Sequence, residues 1–245
     1  MQWTGRLPGA PGQDKMEKEE LLERYEAYGD EGVYAEARGL YERSLAGGGD
    51  ARALTEFGYL QECHGRLSIR AAVSCYERAI DADPQYDKPH WQLIQAMATL
   101  GQAHEAVDRY RQRLAAAPAD LRAHRFLTAA YLAARDYTRA AQVIRTGLEL
   151  APDDPSLTEQ RGDLFDATGH PDDALVCWRR AYDLGPDNLS PRYSTAFLLE
   201  REDRLAEAAA EWRFIIGWCE ERGYAISADW PRRELQRLEA RLAGS

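Results

Sequence analysis

Between Gly169 and Asn188 the chain reads GHPDDALVCWRRAYDLGPDN, which brings His170, Asp172, Asp173 and Cys177 close together in sequence. An imidazole, carboxylates and a thiol are the groups that ligate transition metals and carry protons. A shared metal requires His170, Asp172 and Cys177 to converge. Cys177 stands about a turn and a half along a helix from Asp172, so their side chains diverge. Each residue also has a structural assignment. Gly169 suits the left-handed position that ends a helix, and His170 and Pro171 suit a tight turn. Asp172 or Asp173 suits the start of the next helix, where a carboxylate meets free N–H groups and the positive end of the dipole. The expectation is joinery between two helices, with no metal and no cofactor.

The other reactive side chains lead to the same place. His90 and His124 are expected to pack between helices, while His64 and His104 fall in or beside turns. The chain contains no G-x-G-x-x-G, P-loop, H-E-x-x-H or G-x-S-x-G stretch. No nucleophile–base pair stands out, so the sequence predicts no catalytic residue and no enzyme. Cys63, Cys75, Cys177 and Cys219 form no C-x-x-C pair and are expected to be reduced, mostly buried thiols.

The 245 residues carry a formal net charge of −10 and a pI near 5.1. Such a surface repels nucleic acid and anionic membranes at long range, so neither is expected as a general partner. No apolar run is long enough to span a bilayer. The opening stretch, MQWTGRLPGAPGQD, lacks the apolar core of a secretory signal and is expected to be a flexible Gly/Pro-rich tail; with reduced thiols, a cytoplasmic location is expected. Lysine occurs only at positions 15, 18 and 88, and arginine outnumbers it about nine to one. With abundant Ala and Gly, that bias points to a GC-rich, bacterial genome.

The elements that position these residues repeat. Pro84, Pro118, Pro152 and Pro186 recur at one fixed interval of about 34 residues, and each follows an amphipathic stretch. Twelve residues before each proline stands an alanine: Ala72, Ala106, Ala140 and Ala174. Eight before stands a large residue: Tyr76, Tyr110, Ile144 and Trp178. The proline cannot continue a helix, so each stretch is expected to be a helix that stops there. The period and the columns resemble the tetratricopeptide repeat (TPR), with its W-x2-L-G-x2-Y…A-x3-F…P pattern. His90, Leu93, Met97, Gly101, Ala106, Tyr110 and Pro118 fill that pattern in one unit, and His124 takes the slot of His90 in the next. Gly162, Phe165, Gly169, Ala174, Trp178, Ala181 and Pro186 fill it in a third.

The resemblance implies an all-α, right-handed superhelical α-solenoid of helix-turn-helix repeats with a C-terminal capping helix. The expected organisation is a tail over 1–14, then a divergent helical pair over 15–50 that includes a helix from Lys15 to Tyr28. Four units follow at 51–86, 87–120, 121–154 and 155–188. A degenerate unit over 189–223, in which Glu220 replaces the proline, and a capping helix over 224–245 complete it. In that last helix Leu235, Leu238 and Leu242 are expected to form the buried stripe.

The resemblance further implies a non-catalytic adaptor that binds a peptide or protein on the face lined by the first helices. Helical spacing puts Lys88, Trp91, Gln95, Arg122, Arg125, Glu159, Asp163, Tyr193 and Phe197 on that face, with Asp166 continuing the acidic run. The face begins basic and aromatic, turns acidic, and ends apolar. Reversing Arg122 and Arg125 to Glu is expected to abolish binding without harming the fold. Two alternatives stay open: a homodimer through the end repeats, where Trp212, Trp218 and Trp230 gather, or an accessory subunit that holds an enzyme or its peptide substrate. Arg161 replaces the usual apolar packing residue and is expected to pair with Glu159, Asp163 or an acid of a neighbouring unit.

Overall fold

The computed structural model describes residues 17–18, 20–25, 30–46, 50–224 and 226–244. The expected tail over 1–14 and both ends of the expected Lys15–Tyr28 helix lie outside the described residues; residues 20–25 are helical. Twelve α-helices follow among the described residues. They are α1 (Glu31–Leu45), α2 (Ala51–Cys63), α3 (Arg66–Ala82), α4 (Lys88–Thr99), α5 (Ala103–Ala116), α6 (Leu121–Ala133), α7 (Tyr137–Leu150), α8 (Pro155–Ala167), α9 (Pro171–Leu184), α10 (Ser190–Arg201), α11 (Leu205–Glu221) and α12 (Asp229–Gly244). A short 3-10 turn at Ile226–Ala228 precedes α12. No strand occurs among the described residues, and the fold is the all-helical repeat architecture.

Local chemistry sets the helix ends. α3, α5, α7 and α9 each stop two residues before Pro84, Pro118, Pro152 or Pro186, because a residue preceding proline is pushed out of the helical region. α11 has Glu220 at the equivalent place and runs on to Glu221. The carboxylates of Asp50, Asp120, Asp136 and Asp154 cap α2, α6, α7 and α8 by accepting backbone N–H groups. At α9 the expected aspartate cap is not formed. His170 is the N-cap without a side-chain bond, and Asp172 and Asp173 sit in the first turn behind Pro171, where they complement the dipole rather than cap.

The alanine column is fully buried at Ala72, Ala106, Ala140 and Ala174, and the large column is buried at Tyr76, Tyr110, Ile144 and Trp178. Close approach of the paired helices depends on glycine at two places. A Cβ on Gly58 would reach 2.5 Å from the Tyr76 ring, and one on Gly162 would reach 2.5 Å from the Trp178 ring. Only hydrogen at these positions lets the rings lie flat on the first helix.

The chain divides into two compact units, Met1–Ala96 and Met97–Ser245. In the first, Tyr34, Ala37, Tyr41 and Leu60 pack with Leu21, Leu22 and Tyr25. The Tyr34 and His64 rings stack at 3.6 Å. In the second, Trp178, Leu198, Leu199, Trp212, Ile215 and Leu238 form one core. Arg192 joins α9, α10 and α11: its guanidinium lies 4.3 Å from the Tyr182 ring and 4.2 Å from that of Phe214, and it pairs with Glu211 at 2.9 Å. On α12, Leu238 is fully buried and Leu235 packs partly against the same core. Leu242 is 40% exposed, so the third leucine of the expected stripe does not join; Trp230 supplies the remaining apolar contact. Charge fixes the helix as well, through Arg213–Glu239 at 2.7 Å, Arg232–Glu220 at 2.6 Å, and the pairing of Arg237 with Glu200.

Candidate functional site

The residues picked out on the first helices fall in both units. Lys88, Trp91 and Gln95 belong to the first: Lys88 and Gln95 are exposed and Trp91 is half-buried. Behind them His90, Leu93 and Ile94 are buried. His90 takes a core role with Nε2 3.3 Å from the Pro84 carbonyl oxygen.

In the second unit Arg122 and Arg125 differ in kind. Arg122 is half-buried and lies over the Phe126 ring at 5.9 Å. Arg125 is a structural tether. Its guanidinium donates to both oxygens of the buried Asp154 carboxylate, with Nε at 3.2 and 3.0 Å. Asp154 also accepts from the Leu157 N–H at 2.8 Å, and Gln160 donates to the Arg125 carbonyl oxygen at 2.8 Å. Arg125 therefore binds α6 to the start of α8, and reversing its charge is expected to damage the fold. His124 is buried beside it, with Nδ1 3.0 Å from the Asp120 carbonyl oxygen.

Glu159, Asp163 and Asp166 follow one another by a turn along α8. Glu159 accepts from Asn188 at 3.0 Å. Asp163 accepts from the Trp178 indole N–H at 2.9 Å. Asp166 pairs with Arg201 at the end of α10. These ties link α8 to Asn188 ahead of α10 and to Arg201 at its end, on either side of Asp163 along α8. Burial holds the Glu159 carboxyl above its usual range. Burial first, and then the neighbouring charge of Glu159, push Asp163 up to about 7, against the opposing Trp178 hydrogen bond. Arg161 does not neutralise them; its Nε lies 3.3 Å from Cys177 Sγ on α9.

An acid whose folded pKa exceeds its unfolded value gives more stability at low pH and loses it as pH rises from about 4 to 7. Asp163→Asn keeps an acceptor for Trp178 and removes that loss. Its gain over the parent should be near zero at pH 4 and on the order of 4 kcal/mol above pH 7, read from melting curves at several pH values. A gain independent of pH would show that Asp163 ionises normally.

Beyond α8 the face turns aromatic. Tyr193 and Phe197 of α10 meet Trp212 of α11 at 5.8 and 5.4 Å, and Trp230 of α12 at 5.8 and 5.7 Å; the two tryptophans lie 5.3 Å apart edge to face. Trp212 is fully buried and gives its indole N–H to Glu200 at 2.8 Å. Phe197 stays 47% exposed and Trp230 39% exposed, so the cluster is solid below and open above. Helical spacing on the first helices could not place Trp230, which arrives from the C-terminal helix. The repeat does hold one clue to the ring bed: Trp178 and Trp212 stand one repeat period apart.

His170, Asp172 and Cys177 stay apart in role. His170 Nδ1 lies 3.2 Å from Thr168 Oγ1, Asp172 lies 3.7 Å from Arg204, and Cys177 is buried against Arg161. Among the described residues no three His, Cys, Asp or Glu side chains gather as metal ligands, and no helix is long and apolar enough to cross a membrane.

The tetratricopeptide repeat family model matches residues 92–155 and 160–212. Over 151 residues the chain is 26% identical to protein O-mannosyl-transferase TMTC1 of Homo sapiens, covering 60% of this chain and 17% of that protein. The chain thus spans less than a fifth of the curated relative it matches. Among solved structures, a thermophilic TPR protein of Thermus thermophilus superposes with a TM-score of 0.55 and 22% identity, covering 79% of this chain and 99% of the other. A tetratricopeptide repeat protein of Parabacteroides merdae gives a TM-score of 0.47 and 18% identity, covering 92% and 93%.

Proposed function

This chain belongs to the tetratricopeptide-repeat proteins, and from that premise we propose that it is a non-catalytic adaptor that holds a peptide or protein segment on the faces of its first helices. The fold supports a protein-interaction scaffold. The observation that carries the finer reading is the exposed aromatic pair of Phe197 and Trp230, seated on the rigid bed of Tyr193 and Trp212. Large apolar groups left open on a preformed surface are what a partner covers. In the first unit Lys88, Trp91 and Gln95 offer a cation, an aromatic ring and an amide on one helix.

Photo-crosslinking tests this. A benzoylphenylalanine at position 197 or 91 is expected to capture a discrete partner from host extract. The same group at Val176 on α9, which is 64% exposed, is expected to capture none. Equal capture from all three positions, or capture from Val176 alone, would place the interaction elsewhere.

A further inference from the structure

Resting on the interaction reading above, we propose that the aromatic face of the second unit takes a basic–apolar segment of a partner protein. Its apolar side chain lies on Phe197 and Trp230, and an arginine or lysine about three residues away seats between Glu159 and Asp163. The occupant is chosen by charge. The open aromatic pair is bordered by the α8 acids, and among the described residues no cation pairs with Glu159 or Asp163. Among the described residues the nearby arginines are turned elsewhere. Arg201, from α10, pairs with Asp166 and Glu202. Arg125, from α6, pairs with Asp154. Arg161, on α8 itself, turns to Cys177. Trp178 of α9 and Asn188 ahead of α10 supply only neutral donors. A carboxylate brought to this place would face like charge in partly dry surroundings; a guanidinium or ammonium would relieve it.

The spacing follows from the repeat. Asp163 and Phe197 stand one repeat period apart, so they hold equivalent positions on α8 and α10, which the Glu159–Asn188 and Asp166–Arg201 ties connect. Three residues of extended chain span about 10 Å, the order of one step from a helix to the next in a repeat array. A bound cation also favours the ionised form of Asp163, whose carboxyl titrates near 7, so binding is coupled to proton release in that range.

The probe is a twelve-residue peptide with Arg and Trp three positions apart in a Gly/Ser background, compared with a twin carrying Glu in place of Arg. Each is titrated into the full chain and followed by amide NMR shifts and by calorimetry in two buffers of different ionisation heat. The Arg peptide is expected to bind at least tenfold more tightly than its twin. It should shift signals around Glu159, Asp163, Phe197 and Trp230, release protons near pH 7, and weaken as the pH is lowered to 5.5. The Glu159→Gln/Asp163→Asn double variant, which keeps the Trp178 acceptor, should remove the preference for Arg and the proton release while its circular dichroism stays unchanged. Tighter or equal binding of the Glu twin, or an unaffected double variant, would overturn the proposal. So would a dimer seen by light scattering that Phe197→Glu dissolves, since a second copy would then be the occupant. Shifts confined to Trp91 or Arg122 would overturn it and leave the broader adaptor reading standing. No shift on any first helix with either peptide would count against both.

Discussion

Asp154→Ala is expected to destabilise the second unit by about 3–5 kcal/mol, the cost of stranding one partner of a buried ion pair. The carboxylate caps α8 through the Leu157 N–H and holds the Arg125 guanidinium on both oxygens. Alanine removes the cap and leaves Arg125 partly buried without its counter-ion. Asp154→Asn separates the two losses, because an amide still accepts the Leu157 N–H but carries no charge; it should fall between parent and alanine. Arg125→Glu should be at least as damaging as Asp154→Ala, since two carboxylates would then face each other. Chemical denaturation followed by circular dichroism reads all three. An Asp154→Ala chain that unfolds at the parent denaturant concentration would show that the pair is not a tether.

Removing residues 229–245 is expected to expose the end of the second unit and produce an aggregation-prone chain. Leu238 is buried against the Trp212 and Ile215 core, and Trp230 covers Trp212 from the side. Loss of the fully buried Leu238 alone, as Leu238→Ala, should cost about 2–4 kcal/mol through lost transfer and cavity terms. The deletion adds the lost Trp230 contact and the Arg213–Glu239 and Arg237–Glu200 pairs, although exposed ion pairs contribute little on their own. Melting curves and light scattering of truncated and parent chains make the comparison. A truncated chain that stays monomeric and melts with the parent would show that α12 does not cap the array.

The repeat was legible because two kinds of residue act locally. A proline stops a helix wherever it stands, so Pro84, Pro118, Pro152 and Pro186 marked the ends of α3, α5, α7 and α9. Fully buried Ala106 and Ala174 marked close contacts, because only a small side chain fits there. The face was less legible. Helical phase places a residue on a side but does not say what it meets there. Arg125 has the phase of an open cation, yet it is held by Asp154 from the far end of the same repeat. Phe197 has the phase of a face residue and is exposed, while its neighbour Trp230 comes from an element outside the repeat period. Asp163 carries no local sign that its carboxyl is shifted toward neutrality; that follows from its burial and from the neighbouring charge of Glu159, against the Trp178 hydrogen bond.

The tether between Arg125 and Asp154 also bears on how the array can be lengthened. Both residues lie within 121–154, near its two ends. Duplicating that segment as a block copies the pair intact, and each copy arrives with its own guanidinium and its own acceptor. Splicing at any point between the two residues gives a hybrid with one half and not the other. Along this chain, then, the segment that can be inherited or grafted without loss is set by an ion pair rather than by the visible punctuation of the prolines.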